Sequence, residues 1–473
     1  VQKKQIKEEI SMKMSLAEIA KAIRVQNDIA KWQDLEVTNV ACDSRALEAG
    51  ALFIPLMGEQ DGHKYVANAF ENGAVASLWA SDHDLPSTDQ PLLVVDDPLQ
   101  ALQELSQYYL HKINPFVVAV TGSNGKTTTK DMTASILATQ MNVTKTHANF
   151  NNEIGVPITL LNMNPNTEAV VVEMGMDRPG QLDFLSKLTT PDIAVITMIG
   201  EAHIEFFGTR DKIADAKMEI THGLKEDGTL VYNGDEPLLK ERAAKLKQYT
   251  KTFGRELGND LYATSVTAAP NHVTFQVNEW PGLSFDLPMG GEYNVNNALA
   301  AIMVGKLLHV KPENMQQALA GVELTANRAE WIQGDAGEAI LSDVYNSNPT
   351  AVKQVIKTLA AVKTNGRHIA VLGDMLELGN ASAKLHASLA EAISYDQIDA
   401  VYLVGQEMNN LKDQLIKDGY PKEAIHSYAA DQLKELTSDL KSVLTADDAI
   451  LMKASHGIHL EKVLAELASA NEK

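Results

Sequence analysis

Apolar residues in this chain recur with two different periods that take turns along its length. Behind a charged start, Leu16, Ile19, Ala20 and Ile23 fall at helical spacing after Ser15 and Glu18, a capping-box pair that opens a helix. Short apolar runs at 51–56 and 92–95 read as strands, mixed with short helices up to about residue 112. A second block opens with an apolar strand at 116–120 that runs straight into a glycine-rich turn. Further strands at 169–173, 193–197 and 229–232 are separated by helix-like segments, which predicts a parallel sheet covered on both faces. Between 261 and 287 the period changes to that of antiparallel strands, broken at Pro270-Asn271 and Pro281-Gly282, and a helix follows at 294–308. From about Thr325, strands at 339–343, 368–373, 400–404 and 449–452 alternate with helices as a second, smaller Rossmann-like unit. The expectation is an α/β protein of three domains, 12–112, 113–325 and 326–473, behind a disordered extension over 1–11.

Composition changes this picture only by exclusion. At 473 residues the chain is too long for one ordinary core. Its 45% hydrophobic and 22% charged residues are those of a soluble globular protein. A formal charge of −21 argues against a nucleic-acid partner, because neutralising phosphates along a duplex needs clustered Lys and Arg. A nucleotide substrate stays open, since a few local donors hold a triphosphate. With Cys42 as the single cysteine, no intrachain disulfide or cysteine-rich zinc site can form. No stretch reaches the roughly 20 apolar residues of a membrane span, and residues 1–11 lack the apolar core of a signal peptide. A cytoplasmic protein is expected.

The glycine-rich turn carries the first chemistry. Residues 120–128 read VTGSNGKTT, with a strand before them and a helical pattern after. Gly122 and Gly125 let backbone approach a phosphate, and the N–H groups of Thr121, Ser123 and Asn124 with the helix start present positive dipole ends to it. Lys126 would neutralise the outer phosphates, and the Thr127 hydroxyl would coordinate Mg²⁺. Val120 stands where the longer Walker form has its first glycine, so this is a shorter G-x-x-G-K-T loop. Such a loop predicts ATP binding, but it does not by itself separate a kinase, a switch, a motor and a ligase.

That loop has downstream companions in fixed order: NFNNEIGVP at 149–157, EMG at 173–175, GEAHIEFFG at 200–208, AKMEI at 216–220, GEYNVNNALAA at 291–301, NRAEW at 327–331 and SDVYNSNPTAV at 342–352. Together they resemble the Mur ligase family over nearly the whole chain from about Met12. The versions of LGDMLELG at 372–379, YNSNP, and CDSRALEAGALFIPLMGEQDGHKY at 42–65 are most similar to the member that adds D-alanyl-D-alanine to UDP-N-acetylmuramoyl-tripeptide. The resemblance implies a small α/β domain holding the UDP-sugar substrate, a central phosphate-loop ATPase domain, and a C-terminal Rossmann-like domain that closes over both. It implies an ATP-dependent ligase, using Mg²⁺ as two ions, that phosphorylates a peptide carboxylate and passes the acyl group to an amine. A monomer working on small molecules, with no nucleic acid and no membrane, is expected.

Each site residue has a plain reading and one that the resemblance adds. Glu173 ends an apolar strand, where open sheets place ligand groups, and a carboxylate there suits Mg²⁺. A lone histidine such as His203 is usually structural or solvated, but it matches the family's ligand for the second metal ion. Lys217 lies on an amphipathic helix near 213–220, where a solvated lysine is the default; in the family the matching lysine carries a carbamate derived from CO2. Asn294 reads as a surface cap, whereas Asn297 matches the reader of adenine, Arg328 the contact to the γ-phosphate, and Asp343 the holder of the ribose hydroxyls. Ser44, Arg45, Asp61, Gly62 and His63 resemble the site for the uridine diphosphate, with a solvated loop as the competing reading. Asn151 and Asn152 are candidates for the muramoyl-peptide contact. Lys453 and Ser455 would face the incoming amine, although Ala454 and His456 depart from the family pattern there. Two other readings stay open: a sibling ligase with another substrate, and a binding protein that ATP merely switches.

Overall fold

The computed structural model describes residues 12–323, 325 and 330–469, so the expected extension over 1–11 lies outside the described residues. Three sheets follow one another in chain order, beside a small ribbon of Met14–Ser15 and Glu36–Val37. The first sheet pairs Asn39–Ala41, Ala51–Phe53, Ala74–Ala80 and Leu92–Val95, all parallel and in sequence order. Ser15 caps Leu16–Ala22 by accepting from Glu18 N (3.2 Å), as the capping pair predicted. A longer helix, Pro98–Ile113, starts where Asp97 accepts from Leu99 N and Gln100 N with Pro98 in the first turn. It packs against Gly155–Leu161 of the central domain, and the buried Tyr109 hydroxyl donates to Met163 O across that seam (2.9 Å).

The central sheet is built around the strand that feeds the phosphate loop. Val143–Lys145, Ala169–Glu173, Phe116–Thr121, Ile193–Ile196, Thr229–Asn233 and Tyr249–Gly254 are parallel neighbours in that order. Leu261–Ala269 extends them, and His272–Val277 and Ser284–Leu287 add antiparallel strands at the edge. The chain therefore leaves Phe116–Thr121 toward one side and resumes on the other at Ile193–Ile196. Crevices in open sheets form at the carboxyl ends of strands where the order reverses, and here that is the tip of Phe116–Thr121. Helix Lys126–Leu137 packs there against Tyr293–Leu307, which is buried nearly all round from Asn294 to Gly305. A helix enclosed on every side needs no amphipathic stripe.

The third sheet runs Glu330–Gln333, Ala339–Asp343, Ala449–Lys453, His368–Gly373, Ala400–Val404 and Ile425–Tyr428, antiparallel only at its first pair. One apolar cluster lies on each face, around Ile356 and Leu411 on one side and Leu440 and Val463 on the other.

An ionic cluster fastens the segment leaving the central domain. Asp131, buried on Lys126–Leu137, pairs with Lys145 (2.6 Å) and Lys130 (3.3 Å) and accepts from Thr325 N and Oγ1 (3.0 and 2.9 Å). The equally buried Lys130 also donates to Thr146 O (2.9 Å). Burial alone would raise the Asp131 pKa; Lys130, Lys145 and Thr325 outweigh it and hold the group below the usual carboxylate value. Asp131→Ala would leave Lys130 buried without its counter-charge, a loss of about 3–5 kcal/mol that a urea titration should show as a lower midpoint. Because the folded-state value is depressed, this stabilisation is complete above the unfolded value of about 3.9 and is lost as pH falls through the folded one. The gap between wild type and variant should therefore narrow in acid, and equal midpoints at neutral pH would refute the assignment.

Candidate active site

The turn after Thr121 is held from three sides. Gly125 has φ +80°, and a Cβ there would lie 2.2 Å from Asn297 Oδ1, so the loop rests directly on the start of Tyr293–Leu307. A Cβ on Gly122 would meet Thr197 Oγ1 at 1.8 Å. Thr197 Oγ1 donates to Asn124 O (2.5 Å), and Ser123 N donates to Met198 O (3.0 Å). Lys126 Nζ donates back to Gly122 O (2.9 Å), and Thr127 is buried at the first turn of the helix. The shape of the cradle is thus set by the chain's own contacts.

Two strand tips flank it. Glu173 ends Ala169–Glu173, its N–H donates to Thr146 Oγ1 (2.9 Å), and its Oε1 accepts from Asn151 Nδ2 (2.8 Å). The other oxygen, Oε2, is buried without a hydrogen-bond partner among the described residues. An anionic oxygen in that state is costly unless a cation sits beside it. His203 lies past the neighbouring strand with φ +62°, and its Nδ1 meets Glu377 Oε2 at 2.5 Å. Burial depresses the His203 pKa; Glu377 opposes that, and the charges of Lys126 and Lys217 add to it. The Thr127 hydroxyl, the Glu173 carboxylate and a neutral His203 form a donor set that fits a divalent cation.

Lys217, on Arg210–Met218, is not the solvated lysine that helical spacing suggests. It is buried, and no hydrogen bond or ion pair reaches its Nζ among the described residues. Burial first, and then the charge of Lys126, push its pKa well below the ordinary lysine value. Lys453 is the opposite case: equally buried, it pairs with Asp343 Oδ2 (2.5 Å) and donates to Asn346 O (2.8 Å).

Lys126, Glu173, His203, Asn297, Asp343 and Lys453 all line one cavity of about 1000 Å³ between the central and third domains. Asn151 and Asn152 reach it as well; Asn152 also accepts from Ile154 N and Gly155 N, capping Gly155–Leu161. Asn294 is buried, not surface-exposed, donating to Gly290 O (2.8 Å) and accepting from Asn297 Nδ2 (3.0 Å). Ser455 is turned away, accepting from Leu376 N (2.9 Å). Arg328 lies outside the described residues.

The five first-domain candidates do not line this cavity. Arg45 is exposed and bound in bidentate fashion to Asp43 (2.9 and 2.8 Å). Ser44 is buried, with its carbonyl accepting from Asn72 Nδ2. Asp61 accepts from His63 N and meets His63 Nδ1 (2.7 Å), while His63 Nε2 accepts from Ala80 N (3.1 Å), so this ring is fully used inside its own domain. Gly62 is packed so closely that a Cβ would stand 2.6 Å from Leu56 O.

Contacts between domains were not legible as such. Asn124 and Asn348 exchange amide hydrogen bonds (3.2 and 2.6 Å), and Thr350 donates to Glu201 Oε2 (2.7 Å). Asn348 also caps Pro349–Ala360, a role that the Asn-Pro pair signals, but nothing local points to its partner.

Family models match three successive stretches: the Mur ligase family catalytic domain over 36–110, the Mur ligase middle domain over 120–305, and the Mur ligase, glutamate ligase domain over 327–456. The UDP-N-acetylmuramoyl-tripeptide–D-alanyl-D-alanine ligase of Bacillus subtilis (strain 168) is 40% identical over 457 residues, covering 96% of this chain and 98% of that one. The ligase of the same name from Escherichia coli (strain K12) is 31% identical, over 94% and 96%. Among solved structures, a crystal structure of MurF from Acinetobacter baumannii superposes with a TM-score of 0.84 at 29% identity, covering 97% of this chain and 100% of that one. MurF ligase from Thermotoga maritima in complex with ADP gives 0.77 at 28% identity, over 91% and 97%. Matched along almost all of its length in sequence and in fold, the chain belongs to the Mur ligase family of ATP-dependent ligases.

Proposed function

We propose that this chain joins D-alanyl-D-alanine to UDP-N-acetylmuramoyl-tripeptide, with conversion of ATP to ADP and phosphate, in cytoplasmic synthesis of a peptidoglycan precursor. Relatives carrying that ligase name align over nearly the whole chain, and the cavity supplies what the reaction needs. The observation that carries the chemistry is the phosphate loop sharing one cleft with Glu173, whose Oε2 has no hydrogen-bond partner among the described residues, and with the third-domain residues Asp343 and Lys453. A protein that ATP merely switches would not need this convergence.

A carboxylate resists attack by an amine because oxide would have to leave. Here the tripeptide carboxylate oxygen attacks the γ-phosphorus of ATP, the bond to ADP breaks, and an acyl phosphate forms. The uncharged amine of the dipeptide then adds to the acyl carbon and gives up a proton, and the C–O bond to phosphate breaks to leave the amide. Both reactants of the first step are anions, so their repulsion has to be offset. Lys126 and the loop N–H groups hold the outer phosphates. Two Mg²⁺ ions, held by Thr127 and Glu173 and by His203, supply further positive charge when bound. Asn297 faces the base and Asp343, fixed by Lys453, the ribose; the γ-phosphate contact is assigned to Arg328 from the sequence motif alone. Docked in this way, that domain shields a hydrolysable intermediate from water. The uridine diphosphate is assigned to the first domain near Ser44, Arg45 and the Asp61–His63 turn. There Arg45 would have to exchange Asp43 for a phosphate, and the His63 ring serves only to brace the turn. Asn151 and Asn152 face the muramoyl peptide.

Lys217 carries a carbamate in this reading. A buried amine without a counter-ion is largely uncharged, and its nitrogen lone pair can add to CO2. One N–C bond forms as a C=O π bond of CO2 opens, one proton leaves to solvent, and a neutral amine next to the metal site becomes an anion.

Phosphate release should require ATP, the UDP-muramoyl-tripeptide and D-alanyl-D-alanine together, with product mass identifying the amide; release with any one omitted would contradict the reaction. Lys126→Ala should lower turnover by about 10²–10³-fold or more with an unchanged unfolding midpoint, because the side chain serves the anion and not the core. In ¹³C-bicarbonate, the wild type should show a carbamate carbonyl signal that Lys217→Ala lacks. Full ligation by Lys217→Ala, with or without bicarbonate, would remove the carbamate.

A further inference from the structure

His203 is gripped from the third domain. Glu377 lies beyond His368–Gly373, and its carboxylate oxygen stands 2.5 Å from His203 Nδ1. The contact continues in the backbone, since Glu205 N donates to Glu377 O (3.1 Å). Gly379, with φ +51°, lies so close that a Cβ would stand 3.0–3.2 Å from Glu205 atoms. His203 (φ +62°) and Glu377 (φ +61°) both occupy the left-handed region, which non-glycine residues seldom adopt. Two loops of different domains thus present unusual backbones to each other.

The third-domain loop is itself braced. Leu376 N donates to Ser455 Oγ, and Met375 N to His386 Nε2 (both 2.9 Å). The Asp374 carboxylate accepts from Glu407 N and Met408 N (3.2 and 2.9 Å). Glu377 is therefore mounted on a fixed platform, while its side chain stays half-exposed at the seam. A carboxylate on Nδ1 keeps the proton on that nitrogen and leaves the Nε2 lone pair for a ligand. His203 lines the cavity together with Lys126 and Glu173.

We propose that Glu377 is a positioning residue, which orients His203 to capture its divalent cation only while the third domain is docked. The inference rests on the reading of His203 as a cation ligand. Cation capture, and with it acyl-phosphate formation, is then tied to domain closure.

The test is a Mn²⁺ titration of the full-length enzyme with ADP bound, followed by electron paramagnetic resonance, on wild type, His203→Ala, Glu377→Ala and Glu377→Gln. His203→Ala should lose one of the two ions. Glu377→Ala should weaken that same ion by about 10–100-fold and leave the other unchanged. Glu377→Gln, whose amide oxygen still accepts from Nδ1–H, should recover most of the affinity. Thermal midpoints should stay level, because the Glu377 side chain is half-exposed. Should Glu377→Ala hold both ions as tightly as wild type while His203→Ala loses one, the positioning role is overturned and the ligand reading stands. Glutamine no better than alanine would overturn it as well. Retention of both ions by His203→Ala would instead overturn the ligand reading, and the proposal with it.

Discussion

Repulsion between anions governs this molecule. A triphosphate and a carboxylate must come within bonding distance inside a chain of formal charge −21, next to the fixed carboxylate of Glu173. Net charge cannot help, so positive character has to be local. Lys126 and the loop amides beyond Phe116–Thr121 supply it directly, and at the two adjacent strand tips Glu173 and His203 offer donors that fit a divalent cation, which would add to it. Two buried lysines show how finely this is arranged. Lys453 has Asp343 beside it, whereas Lys217 has no ion pair among the described residues, and burial with the charge of Lys126 disfavours its charged form. The same side chain, equally hidden from water, is paired with a carboxylate in one place and has its charge disfavoured by its surroundings in the other.

The supports behind the site form a connected frame. Thr146 accepts from Glu173 N through its hydroxyl and from Lys130 Nζ through its carbonyl, and Lys130 pairs with Asp131, which holds Thr325. The carboxylate proposed to meet the metal and the segment leading into the third domain therefore share one scaffold. Both also depend on the helix that starts at Lys126. Placement of that helix is in turn fixed by the close approach of Gly125 to Asn297.

Much of this was readable beforehand, for physical reasons. Parallel strands buried on both faces are continuous apolar runs, so 169–173, 339–343 and 400–404 are strands over those very residues. Tyr249–Gly254 escaped because its exposed half is polar, and Val143–Lys145 because three residues at an edge, none of them buried, leave almost no signal. At the site, Lys126, Glu173, His203, Asn297 and Asp343 do converge, since local motifs already placed each at a strand or helix end. Lys217 shows the limit of periodicity, because helical spacing alone cannot tell that this helix is enclosed. Glu377 and Asn348 could not be linked to their partners, 174 and 224 residues away, by any local rule.

The exchanged amides of Asn124 and Asn348 set the character of the seam between phosphate loop and third domain. Neither group carries a charge or titrates, so this fastening is indifferent to ionic strength and acidity. Each such bond contributes only about 1 kcal/mol net, so breaking the pair costs little. The contact is specific in direction, cheap to undo, and unaffected by the large swings of charge that the chemistry a few residues away produces.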